Sequence, residues 1–295
     1  MNYRPLGKAG VKISEIGFGC MSLGKNSVAE SVGLIQKAFD LGINYFDTAD
    51  IYDTGNNEQL VGSALKSHRP KVVIATKVGN VIKSDGGKGF DWNPSKEHIL
   101  KSVEGSLKRL QTDYIDLYQL HGGTIDDPID ETIEAFEILK QQGKILNYGI
   151  SSIRPNVIKE YVKRSGIVSV MMQYSLLDRR PEEEITDLLY RNDISILARG
   201  ALAQGILINK SAKDYAGLTA DEVKAVKQKI QKMAGSNATE DIALGYLLVQ
   251  PVVGSVVVGF RTAEQLQAAL KTRPDEAMIN TIKSRAPVSF YKEHR

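Results

Sequence analysis

Short apolar runs recur along the chain, each followed by a stretch of helical period. The runs are ISEIGFG at 13–19, NYFDTA at 44–49, KVVIATK at 71–77, YIDLYQLH at 114–121, ILNYGIS at 145–151, VSVMMQY at 168–174, ISILARG at 194–200 and GSVVVGF at 254–260. Between them, Val32, Ile35, Ala38 and Phe39 repeat every three to four residues, as do Ile99, Val103, Leu107 and Leu110. That is the spacing of one helix face. DETIEAFEILKQQGK repeats the period and stops at Gly143, a usual helix terminator. Pro94 and Pro155 sit near helix starts, where a missing N–H costs little.

Strand–helix alternation predicts a parallel sheet with helices outside. Eight units fit a (β/α)8 barrel. A doubly wound sheet is the alternative, and periodicity does not separate the two. YRPLGKAGVKIS falls outside the alternation, with a turn at Lys8-Ala9-Gly10 between two strand-like pieces. It reads as a β-hairpin capping the N-terminal end, or bottom, of the barrel. Residues 218–233 read as a charged helical insertion before the last unit. No Pro/Ser linker or low-complexity tract breaks the chain, so a single domain over 1–295 is expected.

The 295 residues carry a net charge of +3, with Lys and Arg interspersed among Asp and Glu. That argues against nucleic-acid binding but leaves room for a pocket that takes anions. Cys20 is the one cysteine, so the fold needs no oxidising compartment. The N-terminus lacks the apolar stretch of a secretion signal, and no run of about 18 apolar residues predicts a membrane span. A cytoplasmic protein is expected. No metal-ligand spacing occurs, and the sequence leaves the oligomeric state open.

Candidate chemistry sits at strand ends. The second run ends at Asp47, the third at Lys77, the fourth at His121, the fifth at Ser151-Ser152 and the seventh at Arg199, while the sixth reaches Gln173. Because strand residues alternate faces, Tyr45 shares a face with Asp47, Ala75 with Lys77, and Gln119 with His121. If those faces point inward, an acid, a base and an imidazole meet at the C-terminal rim, where barrels of this class place their chemistry. Singly, each residue has a plainer reading: a helix cap, a solvated strand end, a satisfied core histidine. Together they are harder to dismiss, since a buried cation and carboxylate are unfavourable unless paired. Tyr52 lies five residues beyond Asp47. A free phenol is too weak an acid at neutral pH, with a pKa of about 10; a neighbouring ammonium favours its ionised form. Asp47 would hold Lys77 charged, Lys77 would acidify Tyr52, and Tyr52 would protonate a carbonyl oxygen that His121 hydrogen-bonds.

Several motifs carry less. GFGCMS at 17–22 lacks the third glycine of a dinucleotide fingerprint, and SDGGKG at 84–89 lacks the GK[ST] of a phosphate loop. With Trp92, the latter reads as a flap over the substrate. His68, His98 and His294 read as structural, Cys20 as a small buried side chain more than an oxidisable one, and Arg179-Arg180 as a surface ion pair more than an anion site.

FDTADIYDTGNNEQLVG, VVIATK, DYIDLYQLH, YGISS and QYSLLDR, in that order, resemble the successive motifs of the aldo-keto reductases. The likeness runs from about Leu6 to Leu270. It implies a barrel that binds NADPH, with NADH as the alternative, and a catalytic tetrad of Asp47, Tyr52, Lys77 and His121. It also implies a cofactor site. Gly19, Cys20, Met21 and Asp47 would lie near the nicotinamide, with Ser151, Ser152 and Gln173 on its carboxamide. Arg199 stands where many members have a stacking aromatic ring, and its charge would favour the reduced cofactor. Gly200, Leu202, Gly205 and Lys210 match the loop along the pyrophosphate. Gly259, Arg261 and Gln265 match the adenosine-phosphate loop, although Ala268 and Ala269 replace a polar pair that contacts adenine in some members. The activity implied is reduction of a small-molecule aldehyde or ketone. A redox sensor or regulatory subunit on the same barrel is the alternative, and an aldolase using Lys77 as a Schiff base is a third reading.

Overall fold

The structure is a computed structural model that describes residues 1–83, 89–234, 239–271, 276–285 and 290–295. Eight parallel strands close into a barrel: β3 (Ile16–Gly19), β4 (Tyr45–Asp47), β5 (Val73–Val78), β8 (Ile115–Leu120), β9 (Ile145–Ser151), β10 (Ser169–Gln173), β11 (Ser195–Arg199) and β12 (Val253–Val258), which pairs back onto β3. Closure decides between the two architectures that the alternation allowed. Each strand lies within one of the eight apolar runs or passes its edge by one residue, as β12 does at its start and β5 at its end. The first run divides: Lys12–Ser14 belongs to a separate strand, and the barrel strand starts only at Ile16.

That separate strand, β2 (Lys12–Ser14), pairs antiparallel with β1 (Tyr3–Pro5). The hairpin plugs the bottom of the barrel as expected. Its Leu6 and Ile13 are fully buried and join Tyr45, Val73, Leu117, Val168 and Leu197 in a cluster inside the cylinder. Gly7 N–H donates to Ser195 Oγ at 2.7 Å, and Ser195 Oγ donates to the Pro5 carbonyl at 3.0 Å. The bottom is therefore closed, with the hairpin tied to β11 through Ser195.

Helices α1 (Val28–Asp40), α2 (Asn56–Leu65), α3 (Lys96–Leu110), α4 (Ile129–Gln141), α5 (Pro155–Arg164) and α6 (Ile185–Arg191) follow successive strands. Local chemistry sets their starts. Ser27 and Glu30 form a capping box on α1, Ser95 caps α3, and Pro155 occupies the first turn of α5, where its absent N–H has no intrahelical partner in any case. The apolar faces of α1 and α3, including Ile35, Ala38, Ile99 and Val103, pack into a second, larger core between helices and barrel. The expected insertion is α7 (Ala220–Ala234). It precedes α8 (Thr239–Leu248), which carries the chain to β12, and α9 (Ala263–Leu270) and α10 (Glu276–Arg285) follow. A second hairpin, β6 (Asn80–Ile82) with β7 (Phe90–Trp92), rises from the C-terminal rim. Residues 84–88 of the expected flap lie outside the described residues. No helix among the described residues is long and apolar enough to cross a membrane.

Candidate active site

The alternation of strand faces brings the strand-end residues together. Lys77 Nζ donates to Asp47 Oδ1 at 2.6 Å and to the Thr48 carbonyl at 2.6 Å. Gln119 Nε2 reaches Asp47 Oδ2 at 3.4 Å. Lys77 is 1% exposed and Asp47 4%. Burial works against the Lys77 ammonium, but the charge and hydrogen bond of Asp47, joined by Tyr52, outweigh it and raise its affinity for the proton. Burial likewise raises Asp47, and Lys77 offsets part of that. The proton of the pair therefore rests on lysine.

Tyr52 stands over this pair. Lys77 Nζ lies 5.0 Å from its ring centroid, and the nearby Tyr52 side chain adds to the raised proton affinity of the lysine. The His121 ring meets Tyr52 edge-on, centroids 6.0 Å apart. The tyrosine begins a tight turn, Tyr52–Gly55, in which Asp53, Thr54 and Gly55 have φ of 48°, 52° and 91°. Three successive left-handed residues are strained unless their surroundings hold them. The clamp is Arg109, whose side chain covers the open face of Gly55, where a Cβ would come within 2.8 Å of Arg109 Cδ. Arg109 Nε in turn donates to the buried Glu58 at 2.6 Å.

His121 is neutral over the physiological range. Burial, then Lys77 and Arg199, lower its pKa to about 3. Its Nδ1 is buried without a hydrogen-bond partner among the described residues. Behind it, the ring of Trp92 covers the open faces of Gly79 and Gly122, and its indole N–H donates to Asp127 at 3.0 and 3.1 Å.

An open cavity of about 820 Å³ exposes this group, with Tyr52, Lys77 and His121 in its wall. Of the expected cofactor residues, Met21, Ser151, Ser152 and Arg199 also line it. Asp47 lies beneath, sealed by Lys77. Gln173 Nε2 donates to Asp178 at 2.8 Å and to Tyr215 at 3.1 Å, leaving its Oε1 without a hydrogen bond among the described residues. The other expected cofactor residues do not line this cavity. Gly19 ends β3, and Cys20 is wholly buried beside it. Gly200, Leu202 and Gly205 form the turn after β11, with φ of 73° at Gly200 and 90° at Gly205, and Lys210 packs against Gly205. Gly259 follows β12, packed on Ser22, and the Arg261 N–H donates to Gln265 Oε1 at 2.9 Å. Burial pushes the Cys20 thiol well up, which makes it the inert core residue of the plainer reading.

Two readings change. Arg179 and Arg180 are not a surface pair. Arg180 donates from Nε and Nη2 to the fully buried Asp178, at 2.7 Å each, and lines the cavity; Arg179 is buried against Glu182 at 2.9 Å. His294 is also drawn into the cavity wall, where residues 290–294 return across the rim and Asn156 N–H donates to the His294 carbonyl at 2.9 Å. Arg154, overlooked in the sequence, lines the cavity too and donates to the Gly123 carbonyl. The ion partners of Arg179 and Arg180 are near in sequence, but the contacts that bring Arg154 and His294 to the cavity come from distant segments.

The chain matches the model of the Aldo/keto reductase family over residues 15–284. It is 48% identical, over its whole length and that of the relative, to the uncharacterized oxidoreductase YqkF of Bacillus subtilis. It is 30% identical to the NADH-specific methylglyoxal reductase of Escherichia coli, over 98% of this chain and 97% of that one. Among solved structures it superposes on the holo form of aldo-keto reductase AKR11C1 from Bacillus halodurans with a TM-score of 0.94, at 47% identity and covering 100% and 99% of the two chains; for the apo form the TM-score is 0.86. With a closed eight-stranded barrel, an Asp–Lys pair beneath a tyrosine at its C-terminal mouth, and matches along nearly its full length, the chain belongs to the aldo-keto reductase family of oxidoreductases, which act on carbonyl and alcohol groups.

Proposed function

We propose that the protein reduces aldehydes or ketones to alcohols with NADPH, and that Tyr52 delivers the proton. The observation that carries this reading is the placement of the Tyr52 ring near both the Lys77 ammonium and the His121 ring in the wall of one cavity. A nicotinamide dinucleotide fits the residues present. Ser151, Ser152 and the free Oε1 of Gln173 offer the donors and acceptors that a carboxamide needs. Arg199 and Met21 offer flat and apolar surface, and the exposed Arg261 offers a cation for a 2′-phosphate. When bound, the reduced dinucleotide supplies the hydride.

This chain's residues would handle the proton and the charge. Neutral His121 carries one ring N–H and can hold the carbonyl oxygen without releasing a proton of its own. As negative charge grows on that oxygen, the Tyr52 O–H protonates it. The Lys77 ammonium stabilises the phenolate left behind, and Asp47 keeps that ammonium charged and aimed. The same pairing weighs against a Schiff-base aldolase, which needs a neutral lysine.

Steady-state NADPH oxidation with a panel of small aldehydes tests the reading. Turnover should be sustained in the wild type and should fall by about 10²–10⁴-fold in Tyr52→Phe. A single slow turnover per protein, unaffected by the substitution, would instead support a redox sensor.

A further inference from the structure

The cavity carries more positive charge than proton delivery requires. Besides Lys77, its wall includes Arg154, Arg180, Arg199 and Lys292, against one wall carboxylate among the described residues, Glu293; Asp47 and Asp178 pair with Lys77 and Arg180. Arg180 is the most constrained of these cations. Asp178 grips it through Nε and Nη2. Asp178 is itself held by the Gln173 amide at 2.8 Å. The Arg180 guanidinium lies 5.0 Å over the Tyr291 ring. This fixes the plane of the group and leaves Nη1 without a hydrogen bond among the described residues. A guanidinium fixed on one edge by a carboxylate presents its remaining N–H groups in a set direction, the arrangement that recognises a second anion.

We propose that Arg180, with Arg154 and Lys292 in the same cavity, is a subsite for an anionic group on the substrate, so that the preferred substrates are carbonyl compounds bearing a carboxylate or phosphate away from the reacting carbon. The proposal rests on the carbonyl-reductase reading. It assigns Arg199 to the cofactor side and Arg180 to the substrate side of the cavity. The surplus of positive charge would also draw such substrates in from solution.

The test compares kcat/KM, with NADPH, for 4-carboxybenzaldehyde and for its neutral methyl ester, whose aldehyde is similarly activated. Glyceraldehyde 3-phosphate against glyceraldehyde shows whether phosphate or carboxylate is the better fit. The wild type should favour the charged member of at least one pair by about tenfold or more, the range of a charge-assisted hydrogen bond. In Arg180→Gln the ratio should collapse toward one. Because that change strands Asp178, the double variant Arg180→Gln/Asp178→Asn is measured beside it and should behave alike. Turnover of all four aldehydes without charge preference overturns the subsite and leaves the reductase reading standing. A proportional loss with charged and neutral aldehydes, accompanied by weaker NADPH binding, also overturns it, by moving Arg180 to the cofactor. Absence of turnover with every aldehyde overturns both.

Discussion

Two buried ion pairs lie within a few residues of each other and serve different ends. Lys77–Asp47 and Arg109–Glu58 each close at 2.6 Å, and in each one partner is almost wholly shielded from solvent. In the second pair the carboxylate is fully engaged. Glu58 Oε2 accepts from Arg109 and Oε1 accepts from Thr76 Oγ1 at 2.5 Å, while the arginine packs on Gly55 and Gly105. In the first pair an ammonium with three donors gives two of them to Asp47 and Thr48, and the remaining one is available to Tyr52 at a cavity. Burial and pairing alone therefore do not mark chemistry. An unsaturated valence facing open space does, and the saturated pair next door holds the turn that presents it.

Breaking the first pair should have the largest effect. Lys77→Met is expected to lower kcat by about 10²–10⁴-fold, as loss of an acid–base group does. It should also destabilise the fold by roughly 3 kcal/mol, because Asp47 is left buried without its counter-charge. Steady-state kinetics and urea unfolding of one preparation read both; a variant of near-normal kcat would remove Lys77 from the chemistry.

Breaking the second pair should separate the two properties. Glu58→Gln is expected to cost about 3 kcal/mol of stability in urea, while kcat/KM measured in the cold stays within about tenfold of the wild type. A far larger kinetic loss at full folding would mean that the clamp contributes to the reaction directly.

Asp50 sits between the two pairs and sharpens the contrast. Its Oδ1 is buried without a partner among the described residues. Burial, then Glu58, push its pKa up to about 7, while the Ile51 backbone N–H, Arg109 and Lys77 pull the other way. In the unfolded chain an aspartate loses its proton near pH 4, so between about pH 4 and pH 7 the folded state binds more protons and stability declines as pH rises. Asp50→Asn removes that decline. Its advantage over the wild type should be near zero at pH 4 and grow to on the order of 4 kcal/mol at pH 8. Urea midpoints that stay parallel across that range would contradict the assignment.

How much of this was legible in the sequence follows from where the information sits. Face alternation in FDTA, ATK and QLH places Asp47, Lys77 and Gln119 on the barrel interior by a local rule, and strand order does the rest. The hairpin plug was legible because Leu6 and Ile13 flank a glycine turn. Arg180 was not. Two adjacent arginines followed by glutamates look like a solvated surface; in the fold Asp178 and the Tyr291 ring hold Arg180, and Glu182 and the Lys283 carbonyl hold Arg179. The surroundings of His294 and Arg154 are likewise assembled across long sequence separations. The division of the first apolar run into two strands escaped because its only local mark is one polar dipeptide, Ser14-Glu15, and the backbone pairing changes partner there, between Ser14 and Ile16.

Trp92 is the chain's one tryptophan, and its ring rests on the glycine that follows His121. All indole emission from the protein therefore comes from a single chromophore just behind the imidazole. A reduced nicotinamide absorbs where indole emits, so its binding in the cavity would be read as energy transfer from a unique donor, with no label attached.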